Sequence, residues 1–265
     1  TLDEFVGQEH LVGERGPLRR SVARGHLSSL LLWGPPGTGK TTIARLVADR
    51  TEKAFEQLSA VTATVKDVRE VIEAARRRLA EDSRGTILFL DEVHRFNKAQ
   101  QDALLPAVEE GLLVLVGATT ENPYFEVNSA LISRTRVYEL HPLEPADVEA
   151  LLRRTGVDAE DAAFVFLAER SGGDARVALG ALEIAAEEGG PIDVAVAERA
   201  LQRRAIRYDK AADQHFDYAS AWIKATRGSD PDASLYYLAV MIEGGEDPRF
   251  IARRWSACSA RSIVT

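Results

Sequence analysis

Residues 34–41 read GPPGTGKT, and this stretch decides how the chain folds. It fits the pattern G-x-x-x-x-G-K-[ST] at every fixed position, and we call it the phosphate loop. The apolar run at 28–33 predicts a short buried strand before it, and Ile43, Leu46 and Val47 predict one apolar helix face after it. A strand, a glycine-rich turn and a helix N-terminus together direct several backbone N–H groups at one point, which suits a phosphate chain.

The phosphate loop and a pair of acids carry the predicted chemistry. Lys40 is expected to reach the β- and γ-phosphates of a nucleotide, and the Thr41 hydroxyl to hold Mg²⁺. The apolar run at 86–90 ends in Asp91, expected to hold Mg²⁺ mainly through water, and Glu92, expected to polarise the attacking water. Acid pairs are common at strand ends, but this one follows the phosphate loop by one strand–helix unit. The two motifs together predict nucleotide binding and phosphoryl transfer.

Polar residues follow a further apolar run, at 113–118. Thr120 or Asn122 could donate a hydrogen bond to the γ-phosphate or to the attacking water. Threonine and asparagine also favour ordinary turns, so spacing alone leaves both interpretations open.

Three arginines occupy positions of interest. Arg134 and Arg136 precede the last predicted strand, where an isolated arginine is usually a solvated charge. Arg176 lies in the first turn of a helix for which Asp174 is a plausible N-cap. A cation there opposes the helix dipole, which favours contact between Arg176 and a phosphate.

Strand-like runs alternate with helical patterns between residues 28 and 140, which predicts a parallel sheet covered on both faces. The predicted strands are 28–33, 54–58, 86–90, 113–118 and 136–140. After Pro142 only helical patterns remain, with a second break around 205–212. The predicted fold class is therefore α/β, a parallel-sheet P-loop domain at 1–142, an all-helical region at 143–205 and the start of a further helical domain at 206–265.

Composition limits the class of protein. The chain has 265 residues, 28% of them charged and 45% hydrophobic, which is typical of an ordinary soluble protein. Cys258 is the one cysteine and cannot form an internal disulfide, which fits a cytoplasmic location. The longest apolar run, 112–118, is too short to span a membrane. A net charge of −8 argues against a protein wrapped in nucleic acid, although a basic patch is enough for binding.

Basic clusters are the candidate contacts to a phosphate backbone, but each is more often a solvated helix face. They comprise Arg76, Arg77 and Arg78; Arg203, Arg204 and Arg207; and Arg249, Arg253 and Arg254. His94 and His215 are not predicted to bind metal, because no Cys or His partner stands at ligand spacing.

In these residues and the stretches around them, the chain resembles the replication-associated recombination protein A family (RarA or MgsA). This family is the branch of clamp-loader-like AAA+ ATPases that includes the Werner helicase-interacting protein. The matching stretches are 2–11, 31–42, 58–70, 87–111, 117–134, 171–183 and 227–254. The last of these, RGSDPDASLYYLAVMIEGGEDPRFIARR, is close to diagnostic, because general AAA+ proteins lack it.

The resemblance implies roles for residues whose function was left open. Thr120 matches the sensor-1 position, Arg134 the arginine finger that reaches a neighbouring subunit's nucleotide, and Arg176 sensor 2. ATP with Mg²⁺ is the implied ligand. The residues implied to bind it are Val6 and Gly7 beside the adenine, and Gly34, Pro35, Pro36, Gly37, Thr38, Gly39, Lys40, Thr41 and Thr42 around the phosphates.

The resemblance also implies an activity and partners. The activity is DNA-stimulated ATP hydrolysis at stalled replication forks, with action on DNA ends or single-strand/duplex junctions. Single-strand-binding protein is an implied partner, and the full-length form is implied to be a homo-oligomer, a tetramer, associated with the nucleoid. The three predicted regions then become an AAA+ domain at 1–142, a helical lid at 143–205 and a truncated oligomerisation domain at 206–265.

Three departures from the family lead us to expect either a fragment or a sequence with internal gaps. The segment between Arg154 and Thr155 is shorter than is usual in the family, and 255–265 does not resemble what normally follows IARR. The remainder of the C-terminal helical domain is expected to be absent.

Other classes of ATPase share some of these motifs. A clamp-loader-type or Holliday-junction branch-migration ATPase is the main alternative, but neither has the segment at 227–254. A protein unfoldase usually has an aromatic pore loop after the second strand, and SAVTATVK at 59–66 has no aromatic residue. Intact Lys40, Asp91, Glu92 and Arg134 argue against a nucleotide-gated adaptor without catalysis.

Overall fold

The computed structural model of the chain describes residues 2–24, 27–209, 221–226, 230–243 and 251. The chain divides into two compact units, one formed by Thr1–Thr155 with Ala168–Arg176 and the other by Gly156–Leu167 with Val177–Thr265.

The first unit is built on a five-stranded parallel sheet. Its strands are β1 (Leu30–Trp33), β2 (Ala54–Ser59), β3 (Thr86–Asp91), β4 (Leu113–Thr119) and β5 (Arg136–Glu139). Their spatial order is β2-β3-β4-β1-β5. The five predicted strands are confirmed, and each lies within two residues of its predicted bounds.

Helices cover both faces of this sheet. They are α1 (Glu9–Val12), α2 (Pro17–Ala23), α3 (Lys40–Asp49), α4 (Val65–Asp82), α5 (Lys98–Glu109), α6 (Pro123–Glu126), α7 (Ser129–Ile132) and α8 (Pro145–Arg153), with a 3-10 turn at Val93–Arg95. In β3, Ile87 and Phe89 pack in the layer that contains α3, whereas Leu88 and Leu90 pack in the layer that contains α4 and α5. Burial on both faces explains why the strand reads as a continuous apolar run.

Capping side chains fix where the two longest helices of this unit begin. Thr64 and Asp67 form a reciprocal capping box at α4, and Asn97 and Gln100 form another at α5. The short helices α1, α2 and α6 were not predicted, because four to seven residues are too few to show a helical period.

The remaining helices are α9 (Asp161–Arg170), α10 (Ala175–Glu187), α11 (Val194–Asp209), α12 (221–226) and α13 (Pro231–Glu243). The described residues beyond 143 contain no strand, only an isolated bridge between Ala159 and Ile192. The prediction that helices, and no strands, follow Pro142 is therefore confirmed for these residues. In the second unit, Trp222 and Met241 are buried together.

Some predicted bounds differ from the structure. α11 continues to Asp209, into the predicted break at 205–212. Most of the predicted further helical domain at 206–265 lies outside the described residues. Within the described part of the chain, no helix is long and apolar enough to cross a membrane.

Candidate active site

Parallel pairing brings the predicted motifs to one edge of the sheet. Trp33 at the end of β1 pairs with Thr119 at the end of β4, and Leu90 in β3 pairs with Gly117 in β4. The phosphate loop follows β1, and Asp91 ends β3. We call this side, where the strands end, the carboxyl edge, and the opposite side the amino edge. Open parallel sheets generally bind ligands at the carboxyl edge.

The backbone of the phosphate loop requires glycine at two positions. Gly37 has φ of +71° and Gly39 has φ of +95°, both in the left-handed region. A Cβ at Gly37 would overlap Asp174 Oδ1, and one at Gly39 would lie 2.6 Å from Phe5 Cζ. Gly39 is also the N-cap of α3, and no side chain caps that helix. The first-turn N–H groups of α3 are therefore available to an anion.

Lys40 is held inside the phosphate loop. Its Nζ donates hydrogen bonds to Gly34 O at 2.7 Å and to Pro35 O at 2.8 Å. Burial lowers the pKa of Lys40, and the negative charge of Glu92 partly opposes this effect, whereas the positive charge of Arg176 adds to it. The ammonium group therefore lies within the electrostatic reach of the acids and the arginine that the sequence analysis singled out.

The acid pair sits at the end of β3. Asp91 Oδ1 accepts a hydrogen bond from the Glu92 backbone N–H at 3.1 Å. Glu92 itself is left-handed, with φ of 52° and ψ of 47°, and it turns the chain into the 3-10 helix. Its Oε2 atom is buried and accepts no hydrogen bond, although His94 Nδ1 lies 3.3 Å away. The carboxylate therefore keeps capacity to accept hydrogen bonds at the carboxyl edge.

The two candidate residues after β4 differ in their surroundings. Asn122 Oδ1 accepts from Tyr124 N at 3.0 Å, so the asparagine caps α6 and performs ordinary turn chemistry. Thr120 is half-buried and directly follows Thr119, the fully buried last residue of β4. Thr119 Oγ1 lies 3.0 Å from His94 Nδ1. Neither member of this contact was predicted from the sequence, since Thr119 was not singled out among the polar residues after 113–118 and His94 was considered only as a metal ligand.

Arg176 lies beside the phosphate loop. Ala175 N donates to Gly37 O at 3.3 Å, which places the start of α10 against the loop. Asp174 Oδ1 accepts from Arg176 N at 2.9 Å, so the predicted N-cap is confirmed. The Arg176 side chain is exposed, and its Nε lies 3.8 Å from Asp174 Oδ1.

The N-terminal segment containing Val6 and Gly7 is fixed by its neighbour Gln8. Gln8 Nε2 donates to His141 O at 2.6 Å, and His141 N donates to Gln8 Oε1 at 3.0 Å. This two-way contact joins the segment to the residues after β5. Gly7 has φ of +76°, and Val6 is half-buried.

Arg134 is the predicted site residue that the fold keeps apart from the rest. It precedes β5, whose first residue, Arg136, pairs with Leu30 at the start of β1. The phosphate loop follows the other end of β1, beyond Trp33, so a four-residue strand of roughly 13 Å separates the two. Arg134 lies at the amino edge, where its Nη2 forms an ion pair of 2.6 Å with Glu109 Oε1.

The described members of the basic clusters are mostly paired with acids. Arg76 pairs with Glu73 at 2.8 Å, and Arg78 pairs with Glu56. Arg203 pairs with Glu188 at 2.5 Å. The side chain of Arg207, and all of Arg249, Arg253 and Arg254, lie outside the described residues, as does His215.

Three family models match the chain. The model of the ATPase family associated with various cellular activities (AAA) matches residues 30–143. The AAA C-terminal domain matches 153–227, and the MgsA AAA+ ATPase C terminal matches 228–264. The last match includes most of the segment after Arg254 that the sequence analysis found unlike the family.

Curated relatives match over almost the whole chain. An uncharacterised AAA domain-containing protein of Mycobacterium tuberculosis is 48% identical over 99% of this chain and 61% of its own length. The replication-associated recombination protein A of Haemophilus influenzae is 44% identical over 99% of this chain and 63% of its own. The protein of the same name from Escherichia coli K12 is 44% identical, over 99% and 62%. The chain thus spans about three fifths of the length of these relatives.

Solved structures give the same fold. The RuvB Holliday junction branch migration motor of Thermotoga maritima aligns with a TM-score of 0.64 and 28% identity. The alignment covers 79% of this chain and 77% of that one.

Proposed function

We propose that this chain, which belongs to the replication-associated recombination protein A family of AAA+ ATPases, binds ATP with Mg²⁺ at its carboxyl edge and hydrolyses it. One observation carries the proposal. Lys40 sits at the uncapped N-terminus of α3, within the electrostatic reach of Glu92, Asp91 and Arg176. A buried cation, a free helix N-terminus and two carboxylates at the end of one strand form the set of groups that phosphoryl transfer requires.

Each residue has a task in this proposal. Lys40 exchanges its two loop carbonyls for β- and γ-phosphate oxygens, while the N–H groups at the start of α3 bind the phosphate chain. The Thr41 hydroxyl and the Asp91 carboxylate are oxygen donors of the type that Mg²⁺ prefers, and they hold the ion, directly or through water. When bound, Mg²⁺ neutralises charge that develops on the phosphates. Glu92 accepts a hydrogen bond from the attacking water and polarises it.

Three further residues complete the proposed site. Thr120 donates a hydrogen bond to the γ-phosphate from the residue after β4. Arg176 supplies a positive charge from the start of α10, which lies against the phosphate loop. Arg134 faces away at the amino edge, so we propose that it completes the site of a neighbouring subunit in a homo-oligomer.

The proposed setting is replication-associated recombination and repair on DNA. The names of the Haemophilus and Escherichia relatives support this setting. Stimulation by DNA, action at stalled forks, contact with single-strand-binding protein and a tetrameric full-length form remain parts of this proposal. Stimulation by DNA is tested by measuring ATP hydrolysis with single-stranded, duplex, forked and gapped DNA. A hydrolysis rate that is the same with and without each of these DNAs would contradict it.

A branch-migration motor is the second candidate, because RuvB shares the fold over 79% of this chain. The family model of the MgsA C terminus favours the first proposal, since it matches 228–264 in the region that the sequence analysis considered diagnostic.

Two substitutions test the proposed site by separating binding from chemistry. Lys40→Ala is expected to lose most ATP affinity, because the phosphates lose their buried cation. Glu92→Gln is expected to retain ATP affinity and to lower the hydrolysis rate about 10²- to 10⁴-fold, because the water is no longer polarised.

Exposed residues of the same types provide controls for this test. Lys66→Ala and Glu110→Gln remove comparable charges from exposed positions and are expected to behave as wild type. ATP affinity by calorimetry and phosphate release should be measured for all four proteins. A Glu92→Gln protein that hydrolyses ATP near the wild-type rate would refute the assignment.

A further inference from the structure

We propose that His94 is a positioning residue that sets the orientation of the Glu92 carboxylate through its Nδ1–H group. The inference rests on the proposed function, in which Glu92 polarises the attacking water. Because the same nitrogen contacts Thr119, the orientation of Glu92 also depends on the last residue of β4.

The ring of His94 lies between the ends of two neighbouring strands. It belongs to the 3-10 helix at Val93–Arg95, and its side chain is 11% exposed. Its Nδ1 atom lies 3.0 Å from Thr119 Oγ1 at the end of β4 and 3.3 Å from Glu92 Oε2 just after β3. One ring nitrogen therefore faces an oxygen from each strand end.

The hydrogen bonds of Thr119 assign the tautomer of His94. Thr119 Oγ1 accepts from the Glu121 N–H at 3.0 Å and donates to the Glu121 carbonyl oxygen at 3.2 Å. A hydroxyl has one proton and two lone pairs, so only a lone pair remains for the histidine. With the Thr119 hydroxyl donating to Glu121, the matching tautomer of His94 carries its hydrogen on Nδ1, donates it to Thr119 and places a donor close to Glu92.

Within the described part of the chain, the Glu92 carboxylate carries the one atom of this group that lacks a hydrogen bond. Its Oε2 is buried without a partner, and an unsatisfied buried acceptor is costly. A small rotation of the carboxylate aligns Oε2 with the Nδ1–H of His94, which is already 3.3 Å away. That bond fixes one carboxylate oxygen and leaves the other to accept a hydrogen bond from water.

The arrangement connects nucleotide sensing to water activation. Thr119 directly precedes Thr120, the residue proposed to contact the γ-phosphate. His94 therefore contacts both the carboxylate proposed to polarise water and the residue next to the proposed γ-phosphate contact.

Substitutions that keep or remove a donor at the position of Nδ1 test the proposal. The amide nitrogen of asparagine falls near Nδ1, whereas His94→Leu has similar bulk and no donor. We expect His94→Leu to lower single-turnover hydrolysis by about 10- to 100-fold, as for other hydrogen bonds that orient a reacting group. ATP affinity should be unchanged, and His94→Asn should recover most of the rate.

A double-mutant cycle separates orientation of Glu92 from a general structural effect. In a Glu92→Gln background, His94→Leu should cost less than about twofold in rate, because no carboxylate remains to be oriented. Equal losses in both backgrounds would overturn the proposal, and so would a His94→Asn protein as slow as His94→Leu. Should His94→Leu fail to unfold cooperatively, His94→Gln replaces it, since its amide nitrogen falls near Nε2 and should not rescue.

The outcome distinguishes this inference from the proposed function. A fast Glu92→Gln protein contradicts the role of Glu92 itself. If Glu92→Gln hydrolyses ATP slowly but His94→Leu hydrolyses it near the wild-type rate, only the role of His94 is contradicted.

Discussion

The two edges of the sheet differ in which parts of the proposed catalytic site they hold. At the carboxyl edge the phosphate loop, the acid pair after β3 and Thr119 come together because β1, β3 and β4 run parallel and in register. At the amino edge Arg134 pairs with Glu109. It lies at the opposite end of β1 from the phosphate loop of its own chain and does not reach that loop. One chain thus brings together the groups proposed to bind ATP and to activate the attacking water. Its Arg134, however, lies at the opposite edge of the sheet. We infer that a complete catalytic site needs two chains.

The largest expected effect comes from removing the arginine at the amino edge. An arginine finger supplied in trans is worth about 10³–10⁵ in rate, so Arg134→Ala is expected to lower turnover by that range. ATP affinity should change little, because Arg134 does not reach the nucleotide of its own chain.

A neighbouring arginine is the control for this prediction. Arg136→Ala removes an exposed cation two residues away and should retain near wild-type turnover. Steady-state phosphate release and equilibrium ATP binding should be measured for both variants. Equal turnover in the two variants would show that Arg134 has no special role.

Two glycine substitutions, one at each edge of the sheet, are expected to have smaller effects, on folding stability and on ATP binding. Gly37 and Gly111 both have positive φ, +71° and +66°, so alanine at either position costs about 1–2 kcal/mol of folding stability. Only at Gly37 does the new Cβ meet another group, Asp174 Oδ1, whereas Gly111 has open space around it. Gly37→Ala should therefore also weaken ATP binding, and Gly111→Ala should leave it unchanged.

Thermal unfolding and ATP affinity of these two variants should be compared directly. A Gly111→Ala protein that loses as much ATP affinity as Gly37→Ala would mean that the loss reflects general destabilisation rather than the phosphate loop.

The carboxyl edge was largely predictable because its signals are local. GPPGTGKT and the apolar run that ends in Asp91 and Glu92 are continuous in sequence, and parallel topology then places strand ends together. The alternation of strands and helices likewise predicted the five strands, since each is a separate apolar run.

The contacts that were missed all join distant parts of the chain. His94 meets Thr119 only because β3 and β4 pair in a particular register and Glu92 adopts a left-handed turn. Gln8 meets His141 across 133 residues of sequence. A short polar residue in a loop carries no periodic pattern, so sequence alone could not assign these partners.

The continuation of α11 to Asp209 was missed for a different reason. Residues 203–209 contain three arginines and no strong apolar period, and a break was predicted around 205–212. Tertiary packing can override such a weak local signal, and helix ends are the least reliable part of a sequence-based assignment.

The claim that a site needs two chains is tested most directly by mixing two inactive variants. Lys40→Ala lacks a working phosphate loop but keeps its arginine, and Arg134→Ala has the reverse defect. In mixed assemblies of the full-length protein some interfaces pair an intact loop with an intact arginine, so turnover should rise above that of either variant alone. Mixing Arg134→Ala with a Lys40→Ala/Arg134→Ala double variant should give no such rise. A mixture whose turnover equals the weighted mean of its two components at every ratio would contradict the account.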